Sequence, residues 1–476
     1  MKSIAQIAAE LQGYDPQALS AADVSRFLSQ LVEPVQDVME LPLFEALGRV
    51  LAADVVSPFD VPPHDNSAMD GYAFAGAQLA AGTALTLKVV GTALAGKAWQ
   101  GMVGAGECVK IMTGAIMPSG LDTVVPQEFV NVQADTVTLP AQLLQPGDNR
   151  RLRGEDLMQG RPALLKGELL TPARLGLAAS LGLKTVRTWR PLRVAYFSTG
   201  DEILSLGEAP REGAVYDSNR YTVFGMLRRL GCEVIDMGVV RDDPALLEAA
   251  FTRAAAQADA IITSGGVSVG EADYTKAMMK KLGDVAFWKI AMRPGRPMAV
   301  GRISQAKSAS SPMDSGESSS QNNSNPNGDG RFADGPPPGE TAPSGVKGAA
   351  RRRLGVGSVG AILFGLPGNP VAVMVTFLAF VRPALLQMMG STAPAAPLLR
   401  ARSLEPMRKK PGRTEYQRGW VSTTADGSLQ VKTTGNQGSG VLSSMAQANG
   451  LIVLHHAQGS VKAGEEVDVM MFEGAL

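Results

Sequence analysis

Four short stretches of this sequence concentrate groups suited to a phosphate-bearing ligand. They are STGDE (198–202), VRDD (240–243), SGGVSVGEADY (264–274) and GLPGNP (365–370). Gly265, Gly266 and Gly270 carry no side chain, so backbone N–H groups there can approach an anion closely. The helix expected after them adds the positive end of its dipole. GLPGNP repeats the arrangement, with Pro370 placed for a first helical turn. Two such turns side by side make a cradle for an extended ligand carrying phosphates. Glu202, Asp242, Asp243 and Asp273 sit in or beside these turns. Carboxylates next to bound phosphates repel them unless a hard cation bridges the two, and magnesium with oxygen ligands meets that need. Such an ion would clamp a pyrophosphate and stabilise charge developing in phosphoryl transfer. Asp243 reads instead as a helix N-cap just before Pro244. Cations follow: Lys289, then Arg293 and Arg296 within AMRPGRP, and farther on Arg418 in YQRGW, with Ser439 in GNQGSG. Forked guanidinium donors give two-pronged recognition of an oxyanion.

These turns need a scaffold, and the flanking residues supply one. Stretches 192–197, 233–238, 258–263, 285–290, 298–302 and 361–364 have the short β-rich texture of strands. Stretches 218–230, 244–256, 272–282 and 370–388 have helical spacing, with Tyr221, Phe224, Leu227 and Leu230 assigned to the buried face of the first. Strands alternating with helices predict a doubly wound, mostly parallel sheet with helices on both faces. Ligands bind such sheets outside the carboxyl ends of the strands, which is where the four turns fall. Elsewhere, 22–32 forms an amphipathic helix with Val24, Phe27, Leu28 and Leu31 on one face. Residues 38–150 are β-rich, 172–183 are helical, and 396–476 hold short strands between Gly turns, predicting a small β-barrel or sandwich. Between 304 and 350, 27 of 47 residues are Ser, Pro, Gly or Asn, too few apolar groups to offset chain entropy. That segment reads as a disordered insertion extending a hairpin of the sheet.

Composition closes off several classes of function. With 45 basic and 45 acidic residues the chain is formally neutral, which argues against a nucleic-acid partner held by bulk charge. Two cysteines and three histidines exclude a disulfide framework and multi-cysteine metal sites. The N-terminus is a poor secretory signal. The apolar run 371–380 falls short of the roughly 20 residues a bilayer needs, so the expectation is a soluble, cytoplasmic protein without a membrane partner. Two near-motifs are discarded. GTALAGKA (91–98) lacks Ser or Thr after Lys97, and GVGSVG (355–360) precedes a strand instead of following one.

Taken in order, SPFDVPPHDNSAMDGYA (57–73), IMTGAIMP (111–118), RGEDL (153–157), FSTGDE, VRDDP, SGGVSVGEADYTK, FGLPGNP, QRG (417–419) and GNQGS (435–439) resemble one family. It is the molybdopterin molybdenumtransferase, or MoeA, family, which is similar to the E domain of gephyrin. The resemblance implies a four-part multidomain α/β chain: a split helical linking domain (1–37 and 152–188), a β-rich inserted domain (38–151), a doubly wound pterin-binding domain (189–394, with a disordered insertion 304–356) and a C-terminal β-barrel (395–476). It implies a homodimer with shared active sites. It also implies a reaction in which adenylylated molybdopterin and molybdate give molybdenum on the dithiolene and free AMP, assisted by Mg2+ or another divalent cation. A molybdopterin adenylyltransferase would supply the substrate.

Carried over by motif, Glu202, Asp242 and Asp273 match active-site acids and metal ligands, and Lys289 an active-site lysine. Asp70 and Thr113 match inserted-domain residues that reach the partner's site, and Arg418 and Ser439 match oxyanion-site residues. The substrate-binding set comprises Ser198, Thr199, Gly200, Asp217, Ser264, Gly265, Gly266, Ser268, Gly270, Arg293, Arg296, Pro367, Gly368, Asn369, Pro370, Arg418 and Ser439. Arg293 stands where relatives often carry Lys, which keeps the charge and changes its reach. Two other readings are a molybdopterin adenylyltransferase, which resembles the doubly wound domain alone, and a non-enzymatic scaffold like the receptor-clustering relatives.

Overall fold

The computed structural model describes residues 2–80, 82–267, 274–304 and 360–472. The insertion expected at 304–356 lies outside the described residues, apart from Ser304. So do Ser268, Gly270 and Asp273.

The central sheet runs in the order Glu233–Val240, Arg193–Thr199, Ala260–Ser264, Ala361–Leu366, Pro297–Ile303, Gly283–Lys289. The first four strands are parallel, and Pro297–Ile303 runs antiparallel to both of its neighbours, Ala361–Leu366 and Gly283–Lys289. Every residue of Ala260–Ser264 and Ala361–Leu366 is buried, because helices cover both faces of a parallel sheet. Strand alternation sorts the side chains. Val194 and Tyr196 face the helices Ser218–Arg229 and Pro370–Thr376, whereas Ala195 and Phe197 face Pro244–Gln257 and Tyr274–Leu282. Asp243 caps the Pro244 helix, accepting from the N–H groups of Ala245 and Leu246. Ile303 pairs with Ala361, so the long insertion does join two neighbouring antiparallel strands.

The face assigned to the 218–230 helix needs correction. Val223, Met226, Leu227 and Leu230 are buried, an i, i+3, i+4, i+7 series, while Tyr221 and Phe224 are 48% and 43% exposed. The aliphatic stripe faces the sheet, and the two aromatic rings lie on the outer side. The 370–388 stretch is an α-helix widened into a π-turn at Phe377–Val381, immediately before Arg382–Met388. Pro383 cannot donate a helical N–H, and the wider turn accommodates that loss. This helix is long and apolar enough to suit a bilayer by length and composition, yet most of it is buried in the protein.

The linking and inserted regions divide at places the sequence did not reveal. Val38–Pro42 pairs with Thr185–Trp189 and Val55–Val56 with Pro162–Leu164. Ala46, Leu51, Val55, Leu164, Leu170 and Val186 share one core. The first strands after 38 therefore belong to the linking unit. Beyond them lies a curled six-stranded sheet, Thr123–Pro126, Gly71–Phe74, Glu107–Ile111, Leu85–Ala93, Thr136–Leu139 and Asn131–Gln133. GTALAGKA finishes one of these strands and enters a turn, with no helix behind it. Helix Ala21–Leu31 buries the four expected residues, with Phe27 edge-on to Trp288 at 4.9 Å.

The C-terminal strands close into a barrel. Thr414–Thr423 pairs with both Leu429–Thr433 and Gly450–Leu454, and Leu399–Ser403 and Glu466–Met471 complete the ring. Met292–Arg293 pairs alongside Thr414 and Glu415, which fastens the arginine-bearing loop of the sheet domain to the barrel.

Candidate active site

Register aligns the ends of the parallel strands. Thr199 lies opposite Val240, Ser198 opposite Ser264, and Ser264 opposite Leu366. The turns that follow these residues therefore emerge at one level and open onto a cavity of about 1140 Å³. Of the residues expected from sequence, Thr199, Gly200, Glu202, Asp217, Asp242, Ser264, Gly265, Gly266, Arg293, Arg296, Pro367, Gly368, Asn369, Pro370 and Ser439 line it.

The glycine cradle is a matter of space. Gly265 has φ +91°, and a Cβ there would lie 2.4 Å from the Thr199 carbonyl oxygen; at Gly266, φ +64°, it would lie 2.5 Å from the Thr275 side chain. No other residue type fits either position without moving backbone or side chain. Ser198 lies below the cavity surface. Its hydroxyl joins those of Tyr196 (2.9 Å) and Ser264 (3.2 Å), and Tyr196 also reaches Ser264 at 2.7 Å. Burial, reinforced by the nearby Asp217 charge, pushes the Tyr196 phenol well above its usual range, so it acts as a neutral hydrogen-bonding support.

The barrel supplies the opposite wall. The N–H of Val371 donates to the Ser439 carbonyl at 3.1 Å, docking the 435–440 turn on the start of the Pro370 helix. Arg293 and Arg296 line the cavity from the loop between Lys289 and Pro297. Arg418 stands elsewhere than expected. Its guanidinium is fully buried and donates to the carbonyls of Asn436 (2.9 Å), Gln437 (3.1 Å) and Gly438 (2.9 Å) and to the Ser444 hydroxyl (3.0 Å). Four of its five N–H donors are thus spent on protein, and it shapes the turn instead of lining the cavity. Burial, with Arg293 close by, pulls its pKa down to about 10.

Three further expectations fall outside the cavity. Lys289 ends its strand, and its backbone N–H bonds the Pro16 carbonyl. Asp70 and Thr113 meet each other in the inserted domain, where Asp70 accepts from both the backbone N–H and the hydroxyl of Thr113 at 2.7 Å. Those two bonds hold the Asp70 carboxyl below its ordinary range. Sequence reasoning missed Asn219, Gln437 and Gly440, which also line the cavity. Gln437 was inside a quoted motif, but nothing in its residue type singled it out. Asn219 follows Asp217 at a helix start, which reads as capping sequence alone.

For a metal, Glu202 and Asp242 offer hard oxygen donors on one wall. Among the described residues no group of three or more His, Cys, Asp or Glu side chains is arranged around a single point.

Three family models match the chain in sequence: the MoeA N-terminal region (domain I and II) over 19–182, the probable molybdopterin binding domain over 195–387 and the MoeA C-terminal region (domain IV) over 400–472. A molybdopterin molybdenumtransferase of Haemophilus influenzae is 38% identical over 453 residues, 95% of this chain and 98% of that one. The chain belongs to the MoeA family. A second family member, from Nostoc, is 32% identical over 97% of this chain and 95% of its own length. A Pyrococcus horikoshii moeA crystal structure superposes with a TM-score of 0.71 at 24% identity, covering 96% of this chain and all of that one. It shows the same MoeA fold.

Proposed function

We propose that this MoeA-family chain is a transferase of molybdenum cofactor biosynthesis that moves molybdenum from molybdate onto the dithiolene of adenylylated molybdopterin. The observation that carries this reading is the composition of one cavity: glycine cradles for phosphates, two carboxylates for a divalent ion, and a wall of arginines for a small dianion. The phosphoanhydride breaks with uptake of water, and AMP leaves. The two dithiol protons depart with one molybdate oxygen as water while both sulfurs bind molybdenum, so no oxidant or reductant is consumed. Glu202 and Asp242, with Asp273 of the same loop set, would hold Mg2+, which when bound supplies charge neutralisation at the pyrophosphate. The cradle at Gly265 and Gly266 orients the phosphates, and Arg293 and Arg296 attract the oxyanion. Asp70 and Thr113 are absent from the cavity of their own chain, and a second copy supplies them in a homodimer with shared sites.

The test is release of AMP from adenylylated molybdopterin by the purified chain. Release that depends on molybdate and Mg2+ is expected, with Asp242→Ala abolishing molybdenum insertion while preserving the dimer. Formation of adenylylated product from ATP and molybdopterin would point to the adenylyltransferase reading instead. Full activity of the Asp242 variant would point to a binding role.

A further inference from the structure

The start of the Ser218–Arg229 helix presents two acceptors that the fold leaves unused. Asp217 is 3% exposed and lines the cavity. Its Oδ1 caps the helix by accepting from the Arg220 N–H at 3.1 Å, while its Oδ2 is buried without a hydrogen-bond partner. Asn219 is 8% exposed and lines the same cavity. Its Nδ2 donates to the Gly368 carbonyl at 2.7 Å, and its Oδ1 is likewise buried and unpaired. Among the described residues Asp217 makes no ion pair: Arg220, whose charge it feels, spends its fork on Asp236 at 2.7 to 3.0 Å.

A buried carboxylate oxygen and a buried amide oxygen left bare cost stability unless a ligand satisfies them. Both are acceptors, so the ligand must bring donors. One bare oxygen from each residue suits a ligand edge with two adjacent N–H donors, and the bond to the carboxylate is charge-assisted. Resting on the pterin reading above, we infer that Asp217 and Asn219 recognise the 2-amino and N3–H edge of the pterin ring. That edge offers two adjacent donors. Adenine sets an acceptor nitrogen beside its amino group, so the same pair of oxygens rejects it and sorts the two rings of the substrate. The pterin end is thereby placed against the helix start at Asp217, leaving the phosphates to the glycine turns.

The test uses the full chain with three probes in binding titrations: pterin-6-carboxylate, lumazine-6-carboxylate and AMP. Lumazine has a carbonyl where pterin has the 2-amino group. Wild type is expected to favour the pterin over the lumazine. Asp217→Asn keeps a good helix cap, and it is expected to lose about ten- to hundredfold in pterin affinity, with little change for AMP. Asp217→Ser, also a good cap, should do the same, which separates the carboxylate from the fold. A wild type that ignores both pteridines overturns the pterin reading and this inference together. A wild type that binds pterin, with both variants binding it equally well, overturns the assignment of Asp217 alone. Loss of AMP binding in the variants, with pterin unaffected, places the adenine there instead.

Discussion

Two turns face each other across the cavity and are held in shape by opposite means. The 264–267 turn keeps its form through absent atoms, since a Cβ at Gly265 or Gly266 would collide with neighbours. The 435–440 turn keeps its form through one added group, the buried Arg418 guanidinium that gathers three consecutive carbonyls. Trans peptide geometry turns the N–H of each peptide away from its carbonyl. Drawing carbonyls toward Arg418 therefore leaves the N–H groups of the next residues to other partners, as Gly438 N–H donates to Asn436 Oδ1 at 2.9 Å. The first device fails through any extra bulk, and the second through the loss of one side chain.

That contrast can be broken by mutation. Arg418→Ala leaves three carbonyls and a hydroxyl without their buried donor, and should cost about 3–5 kcal/mol in thermal unfolding. Arg418→Lys, which keeps charge without the fork, should recover only part. Gly265→Ala combines a left-handed backbone with a clash on the Thr199 carbonyl and should cost about 2–4 kcal/mol. Gly368→Ala is the control, because its Cβ would have nothing nearer than 4.0 Å. It should shift stability by less than about 0.5 kcal/mol by the same calorimetry. If Gly265→Ala proves as mild as Gly368→Ala, space is not what shapes the first turn.

Smaller effects sharpen the picture away from the cavity. Asp70 is held below its ordinary range by Thr113, so its contact contributes at neutral pH and is lost as pH falls through the folded-state value. In Thr113→Val, NMR titration should show the Asp70 carboxyl moving up toward ordinary carboxylate behaviour. Removing residues 306–352 should change least of all, leaving melting temperature and turnover near wild type, because closing entropy varies slowly with loop length.

The sheet domain was legible because each of its signals is local. A β-rich run, a Gly-containing turn and a helical period follow one another, and Asp243 before Pro244 declared itself a cap. The meeting of the turns also followed, since strand ends in a parallel sheet share one edge. What was not legible depended on distant partners. Arg418 looks the same in sequence whether it faces an oxyanion or three carbonyls. The strands after residue 38 look β-rich whether they pair within the inserted sheet or with 162–189. The aromatic pair Tyr221 and Phe224 drew the helix face wrongly because ring size does not determine which stripe the sheet covers.

The helix that begins at Pro370 forms part of the cavity wall, and at its far end Met388 accepts from the Val35 N–H at 2.8 Å while Gln387 donates to the Ser29 and Val32 carbonyls. One continuous helical segment thus links the cavity wall to the N-terminal helix pair. The π-turn at Phe377–Val381 lies midway between those two attachments, so a substitution that unwinds it should loosen the cavity wall and the N-terminal helix pair together.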